Sequence, residues 1–132
     1  MSFTVENVVF DCADPYQLAG FWSRVTGWPL GEDDEPGDPE VIVRTPVGPT
    51  LFFQRVPEPK AVKNRLHLCL RPDGFREGEV ERLIGLGASM VDDRREANGL
   101  GWVVLADPEG NEFCVLRGIG DRQAEAQVSV PD

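Results

Sequence analysis

One histidine, His67, and three cysteines, Cys12, Cys69 and Cys114, are the imidazole and thiol donors of this 132-residue chain. His67 and Cys69 stand two positions apart in the strand-like run His67-Leu68-Cys69-Leu70-Arg71, so on an extended backbone their side chains point the same way. An imidazole with two thiolates would suit zinc if Cys114 joined them. The simpler reading of Cys69 and Cys114 is as small buried hydrophobes, the common fate of a free cysteine. The imidazole of His67 suits either a general base working near neutral pH or a hydrogen-bonded structural role. Its strand neighbours Leu66 and Leu68 are expected on the opposite, core-facing side. Lys60, Lys63 and Arg65 form the one basic cluster. They read as an anion hook for a carboxylate or phosphate, or more simply as linker charges that pair with nearby acids.

The elements that must position these residues come in two similar sets. Asn7-Val8-Val9-Phe10-Asp11 is strand-like; Pro15 then opens a helical pattern with Leu18, Phe21, Trp22 and Val25 on one face, and Gly27 ends it. The run from His67 is followed by a second helical pattern with Phe75, Val80, Leu83 and Ile84 apolar, ended by Gly87. Asn7 to His67 and Gly27 to Gly87 are each 60 positions. The turn Thr45-Pro46-Val47-Gly48 before Leu51–Arg55 has its mate in Asp107-Pro108-Glu109-Gly110 before Phe113–Arg117, 62 positions on. The pattern predicts strands at 4–12, 28–32, 40–45, 50–55, 65–71, 88–93, 101–106 and 112–117, and helices at 15–26 and 75–86. The acidic stretch 31–40, with Pro36, Gly37 and Pro39, reads as a solvated hairpin loop. Asp121 to Asp132 is polar and aperiodic, a poorly ordered tail or an arm for a partner. Neither half has enough core alone.

On these elements further candidates fall into place. Asp11 shares a strand face with Asn7 and Val9 and is a candidate acid/base partner for His67; the simpler reading is a strand-end residue before a helix capped by Asp14. Trp22 reads as core and Trp28 as stacking beyond Gly27, whereas Trp102, with Val104, could wall a cavity. Glu112 joins the same face by its alternation with Cys114. No Ser-His-Asp order, phosphate-binding loop or dinucleotide glycine motif is visible. Asp107-Pro108-Glu109-Gly110 lacks the alternating acids of a calcium loop.

Composition narrows the partners. The chain is 41% hydrophobic and 27% charged, as in ordinary globular proteins. A net charge of −10 argues against nucleic acid and against anionic membranes. No apolar run approaches the ~18 residues that span a bilayer, and Met1–Glu6 has no basic leader pattern, so no signal peptide is expected. Three widely spaced cysteines without CxxC predict no disulfide framework and a reducing, cytoplasmic setting.

The duplicated βαβββ pattern, closed by Asp107-Pro108-Glu109-Gly110-Asn111-Glu112-Phe113, resembles the glyoxalase/bleomycin-resistance/dioxygenase (vicinal oxygen chelate) superfamily over residues 3–118. Asp11-Cys12-Ala13-Asp14-Pro15, Phe21-Trp22, Val56-Pro57-Glu58-Pro59-Lys60, Lys63-Asn64-Arg65-Leu66-His67-Leu68 and Leu86-Gly87-Ala88 bring it closer to the glyoxalase-like domain subgroup. The resemblance implies an α+β chain of two tandem βαβββ modules, at about 3–56 and 64–118, forming half-barrels around a cavity, with 119–132 as a polar tail. It implies a homodimer, and relatives that range from metal-dependent lyases, isomerases and dioxygenases to metal-free antibiotic-sequestering proteins. Metal-using members take one ligand, usually His or Glu, from the first and last strand of each module. The internal repeat carries those positions to Asn7, His67, Cys114 and Phe52, with Gln54 as the alternative to Phe52. No carboxylate is among them, so the usual divalent metal site and any cofactor are not expected. The subgroup commonly has Asp where this chain has Cys69.

The resulting expectation is a protein that binds a small organic molecule in a cavity lined by Asn7, Phe52, Gln54, Cys69, Trp102, Glu112 and Cys114. One alternative is a lyase, isomerase or dioxygenase-type enzyme that uses His67 as base with Asp11, or a metal held by His67, Cys69 and Cys114. The other is a ligand-free dimeric scaffold.

Overall fold

Asn7, Val9 and Asp11 alternate with the more buried Val8, Phe10 and Cys12, giving a strand with two unlike faces, β1 (Asn7–Cys12). The computed structural model of the chain describes residues 2–129, which fall into two compact units, one ending at Ala61 and the other beginning at Val62. After β1, Asp14 caps helix α1 (Pro15–Thr26) by accepting the Gln17 N–H at 3.2 Å, and Gly27 closes the helix with a left-handed φ of 79°. Strands β2 (Glu40–Val43) and β3 (Thr50–Arg55) complete a three-stranded sheet of order β1-β3-β2, with β1 parallel and β2 antiparallel to β3. Leu18, Phe21 and Trp22 of α1 are buried with Val41, Val43, Leu51 and Phe53. Phe10 joins them, its ring 4.7 Å from that of Phe53 and 5.4 Å from that of Trp22. Asn7, Val9, Asp11, Phe52 and Gln54 take the alternate phase, on the other face of this sheet.

The strand expected at 28–32 shrinks to a single bridge, Leu30 to Val43. Arg44 N–H still reaches Pro29 O at 2.8 Å, and Gly31 N–H reaches Ile42 O at 3.2 Å. The Ile42 N–H, however, donates to the Asp34 carboxylate at 2.9 Å. A side chain thus takes the acceptor's place in the ladder, and the pairing stops there.

The second unit begins with β4 (Leu68–Leu70) and continues through α2 (Arg76–Leu86), β5 (Ser89–Asp93), β6 (Trp102–Ala106) and β7 (Glu112–Leu116). Its sheet has the order β4-β7-β6-β5, with β4 parallel to β7 and the other pairs antiparallel. Val103, Leu105, Phe113 and Val115 are buried on one face with Val80 and Leu83 of α2. Gly48 and Gly110, the repeat's paired turn residues, both adopt φ of 89°, a left-handed conformation that favours glycine. The mixed α+β architecture matches the expected class.

Several expectations need correction. The strand at 65–71 is only three residues long because Asn64 Oδ1, rather than a backbone carbonyl, accepts the Glu112 N–H at 3.0 Å. Leu66 is 88% exposed and not in the core; Phe75 and Ile84 are likewise exposed. The segment expected as an irregular tail forms helix α3 (Ile119–Ser129). Its start is fixed by backbone: Ile119 N–H bonds Pro72 O at 2.9 Å and Gly120 N–H bonds Gly74 O at 3.0 Å. A Cβ on Gly118 would lie 2.1 Å from Gly74 O, so only glycine permits this approach. Asp121 accepts from Gly118 N–H at 2.7 Å and from Arg76 N–H at 2.9 Å, capping its own helix and α2 together. Residues 130–132 of the tail lie outside the described residues. Among the described residues no helix is long and apolar enough to cross a membrane.

Candidate functional site

The parallel pairing of β4 with β7 sets Cys69 directly opposite Cys114. His67, two residues earlier, lines the same cleft. The imidazole and both sulfurs supply donor atoms that all lie within 4.8 Å of one another. Cys114 is buried, as a free cysteine commonly is, whereas Cys69 is exposed, contrary to the expectation that both are core hydrophobes. Burial pushes the Cys114 thiol above its ordinary pKa, and the charge and hydrogen bond of the neighbouring Cys69 thiol push the same way. Glu112 adds to the rise, and Lys63 opposes it.

These donors form one side of a concavity of about 350 Å³ in the second unit. Trp102, Val104 and Leu116 make its apolar part; Val104 pairs with Cys114 across the ladder and Trp102 pairs with Leu116. Leu116 was not among the expected lining residues, although the alternation that points to Glu112 and Cys114 continues to it. Glu112 and Lys63 close the edge, Lys63 Nζ lying 3.0 and 2.9 Å from the two carboxylate oxygens. That pairing alters the expected anion hook, because the Lys63 charge is already met by Glu112. Arg65 is exposed in the same unit, and Lys60 is exposed in the first unit.

A network behind the cleft holds this edge. The buried Asp107 carboxylate accepts from the Glu109 and Asn111 backbone N–H groups, each at 2.9 Å, and from the Asn111 carboxamide at 3.0 and 3.2 Å. Asn111 in turn accepts from Asn64 at 3.4 Å, and Asn64 holds the Glu112 backbone. The Asp107–Gly110 turn therefore closes on itself through one carboxylate, and it anchors the segment that carries Lys63. Arg76 plays a comparable part at the Trp102 end. Its guanidinium donates to Gly99 O at 3.0 Å and to Gly101 O at 2.7 Å, the residue before Trp102. Burial lowers the Arg76 pKa, and Asp121 opposes that shift.

The first unit presents different chemistry at the matching positions. Where the second pairs Cys69 with Cys114, the first pairs Val9 with Phe52. Asn7 is exposed, and Asp11 accepts a hydrogen bond from Gln54 Nε2 at 2.8 Å. That bond engages the two polar side chains that stand beside Val9 and Phe52 in the register. A second depression, of about 270 Å³, lies near Arg76, Arg95 and Arg117. Its cations have internal partners: Arg95 pairs with Asp93 and Arg117 with Glu125.

Comparison with known proteins places this geometry in context. Residues 7–116 match the family described as glyoxalase-like domain. Among solved structures, a glyoxalase/bleomycin resistance protein/dioxygenase family enzyme from Burkholderia phytofirmans is similar with a TM-score of 0.68 and 17% identity, covering 89% of this chain and 99% of that one. A glyoxalase-related enzyme from Fulvimarina pelagi is similar with a TM-score of 0.66 and 17% identity, covering 86% of each chain. The oxidase ChaP-H2 is similar with a TM-score of 0.61 and 17% identity, covering 89% of this chain and 94% of that one. At such identities the likeness establishes the fold. No curated protein matches the chain.

Proposed function

The chain belongs to the glyoxalase-like domain family, and from that premise we propose that it binds a small organic molecule in the cleft of its second unit. The observation that carries the reading is the cleft's division into an apolar part, Trp102, Val104 and Leu116, and a polar part, His67, Glu112 and the two thiols. Small-molecule sites combine apolar walls with a few convergent polar groups, and about 350 Å³ lies near the lower end of their usual size range. The exposed indole of Trp102 favours a planar or aromatic ligand.

Binding of this kind does not call for the four-donor nitrogen and oxygen centre used by metal-dependent relatives. The positions carried over for it are Asn7, Phe52 or Gln54, His67 and Cys114. Phe52 has no donor, the Gln54 carboxamide is engaged by Asp11, and Cys114 replaces a hard oxygen with a sulfur. The donor set does not fit that centre.

The reading is tested on metal-free protein with a panel of planar aromatic and natural-product compounds, followed by thermal shift and tryptophan fluorescence. A saturating ligand at about 100 times its Kd stabilises the fold by about 2.7 kcal/mol, and Trp102→Ala weakens that ligand. Shifts that survive Trp102→Ala unchanged, or none across the panel, would sink the proposal. A second reading, catalysis with His67 as general base, is favoured by the position of the imidazole in the same cleft. Unchanged turnover in His67→Ala would remove it. A ligand-free scaffold would be favoured by a filled cavity, and the concavity of about 350 Å³ speaks instead for ligand binding. A homodimer is also proposed, because each unit has only a small core of its own.

A further inference from the structure

We infer that His67, Cys69 and Cys114 form a three-donor site for a thiophilic, zinc-type divalent ion, contained wholly within the second unit. The inference does not require an organic ligand and does not revive the four-donor centre excluded above. The site shares His67 and Cys114 with that centre's positions, but Cys69 is not one of them, and the first unit, where Val9 and Phe52 stand at the counterparts of the cysteines, contributes no donor.

Geometry supplies the first argument. Zinc bonds of about 2.3 Å to sulfur and about 2.0–2.1 Å to nitrogen put donors roughly 3.5–3.8 Å apart in a tetrahedral site. The three donors here already lie within 4.8 Å of one another, so rotamer adjustment of exposed His67 and Cys69 is enough to close them. The in-register ladder pair holds Cys69 and Cys114 side by side on neighbouring strands.

Chemistry supplies the second. Two sulfurs and an imidazole disfavour magnesium, calcium and manganese and select zinc-like ions. Binding releases the thiol protons to solvent, and the two thiolates balance a divalent charge. Three protein ligands leave a fourth position for a water or a ligand donor, as catalytic rather than structural zinc sites do. That position adjoins the concavity lined by Trp102, Val104 and Leu116.

The test uses full-length protein, reduced and stripped of metal, titrated with Co²⁺ and then with Zn²⁺. One equivalent of cobalt should give a thiolate-to-cobalt charge-transfer band with the visible bands of tetrahedral cobalt, and zinc should displace both. The band should weaken in Cys69→Ser and in Cys114→Ser. Affinity should fall in both, and in His67→Gln, by more than the roughly 10–100-fold that loss of a mere supporting residue costs. Cys69 is exposed, so Cys69→Ser tests the site even if Cys114→Ser does not fold. Cys12→Ala should retain the full band. Absence of the band in folded wild-type protein, or an undiminished band in Cys69→Ser, overturns the inference. Because binding of aromatic probes is measured without metal, failure of either proposal is visible apart from the other.

Discussion

Cys69, Cys114 and Cys12 share a thiol and differ in access. Cys69 is exposed, Cys114 is 6% exposed with its pKa raised chiefly by burial, and Cys12 is 3% exposed in the first unit's core. The thiolate is the reactive form, so a raised pKa leaves less of it at neutral pH. Timed alkylation of the metal-free protein at neutral pH, read by peptide mass spectrometry, should label Cys69 first, Cys114 more slowly and Cys12 last. Equal rates for Cys69 and Cys114 would contradict the described burial. All three donors are legible in the sequence, His67 and Cys69 by simple alternation and Cys114 through the internal repeat. What no local pattern encodes is the parallel register, between strands 45 positions apart, that sets Cys114 directly opposite Cys69. The Lys63–Glu112 pair is illegible for the same reason: both residues stand out individually, but 49 positions separate them.

At the scale of elements, Arg76 ties the start of α2 to the hairpin that leads into β6. Its fork holds the carbonyls of Gly99 and Gly101, and its backbone N–H is capped by Asp121 of α3. Arg76→Ala removes charge-assisted hydrogen bonds and should destabilise the protein by about 1.5–3 kcal/mol, measured by urea denaturation. Arg76→Lys should recover little, because an ammonium cannot reproduce the planar fork. A loss below about 0.5 kcal/mol would show that the hairpin holds itself. Helices α1 and α2 follow from apolar spacing and glycine stops that the sequence displays. Helix α3 escapes because its start is set by contacts of Gly118, Gly120 and Asp121 with residues 72–76 rather than by an apolar stripe. The lost strand near Leu30 escapes because a carboxylate, Asp34, substitutes for a backbone acceptor.

The molecule as a whole carries a net charge of −10, and like charges resist both folding and self-association. If the chain pairs with a second copy, dimerisation should therefore be weaker at low ionic strength and tighten as salt screens the charge. Sedimentation at micromolar concentration across a salt series should show a dimer mass that falls toward monomer at the low-salt end. A monomer at every salt concentration would remove the dimer. The whole-chain feature most legible in the sequence is the repeat. Its spacings of 60 and 62 positions reappear as two sheets in which a first strand runs parallel to a last strand.

That shared register makes the second unit a template for redesigning the first. Asn7 is the repeat mate of His67, and the ladder pair Val9–Phe52 is the mate of Cys69–Cys114. Val9 is exposed and Phe52 half-exposed, so neither change would open a hole in the core. Grafting Asn7→His, Val9→Cys and Phe52→Cys into one chain would copy the cluster onto a second sheet with the same parallel pairing of first and last strand. Cobalt stoichiometry would then report how far a parallel ladder and three side chains suffice to build such a centre: a rise from one equivalent to two would make it a portable module, and an unchanged value would mean that the surroundings of Cys114 supply what the graft leaves behind.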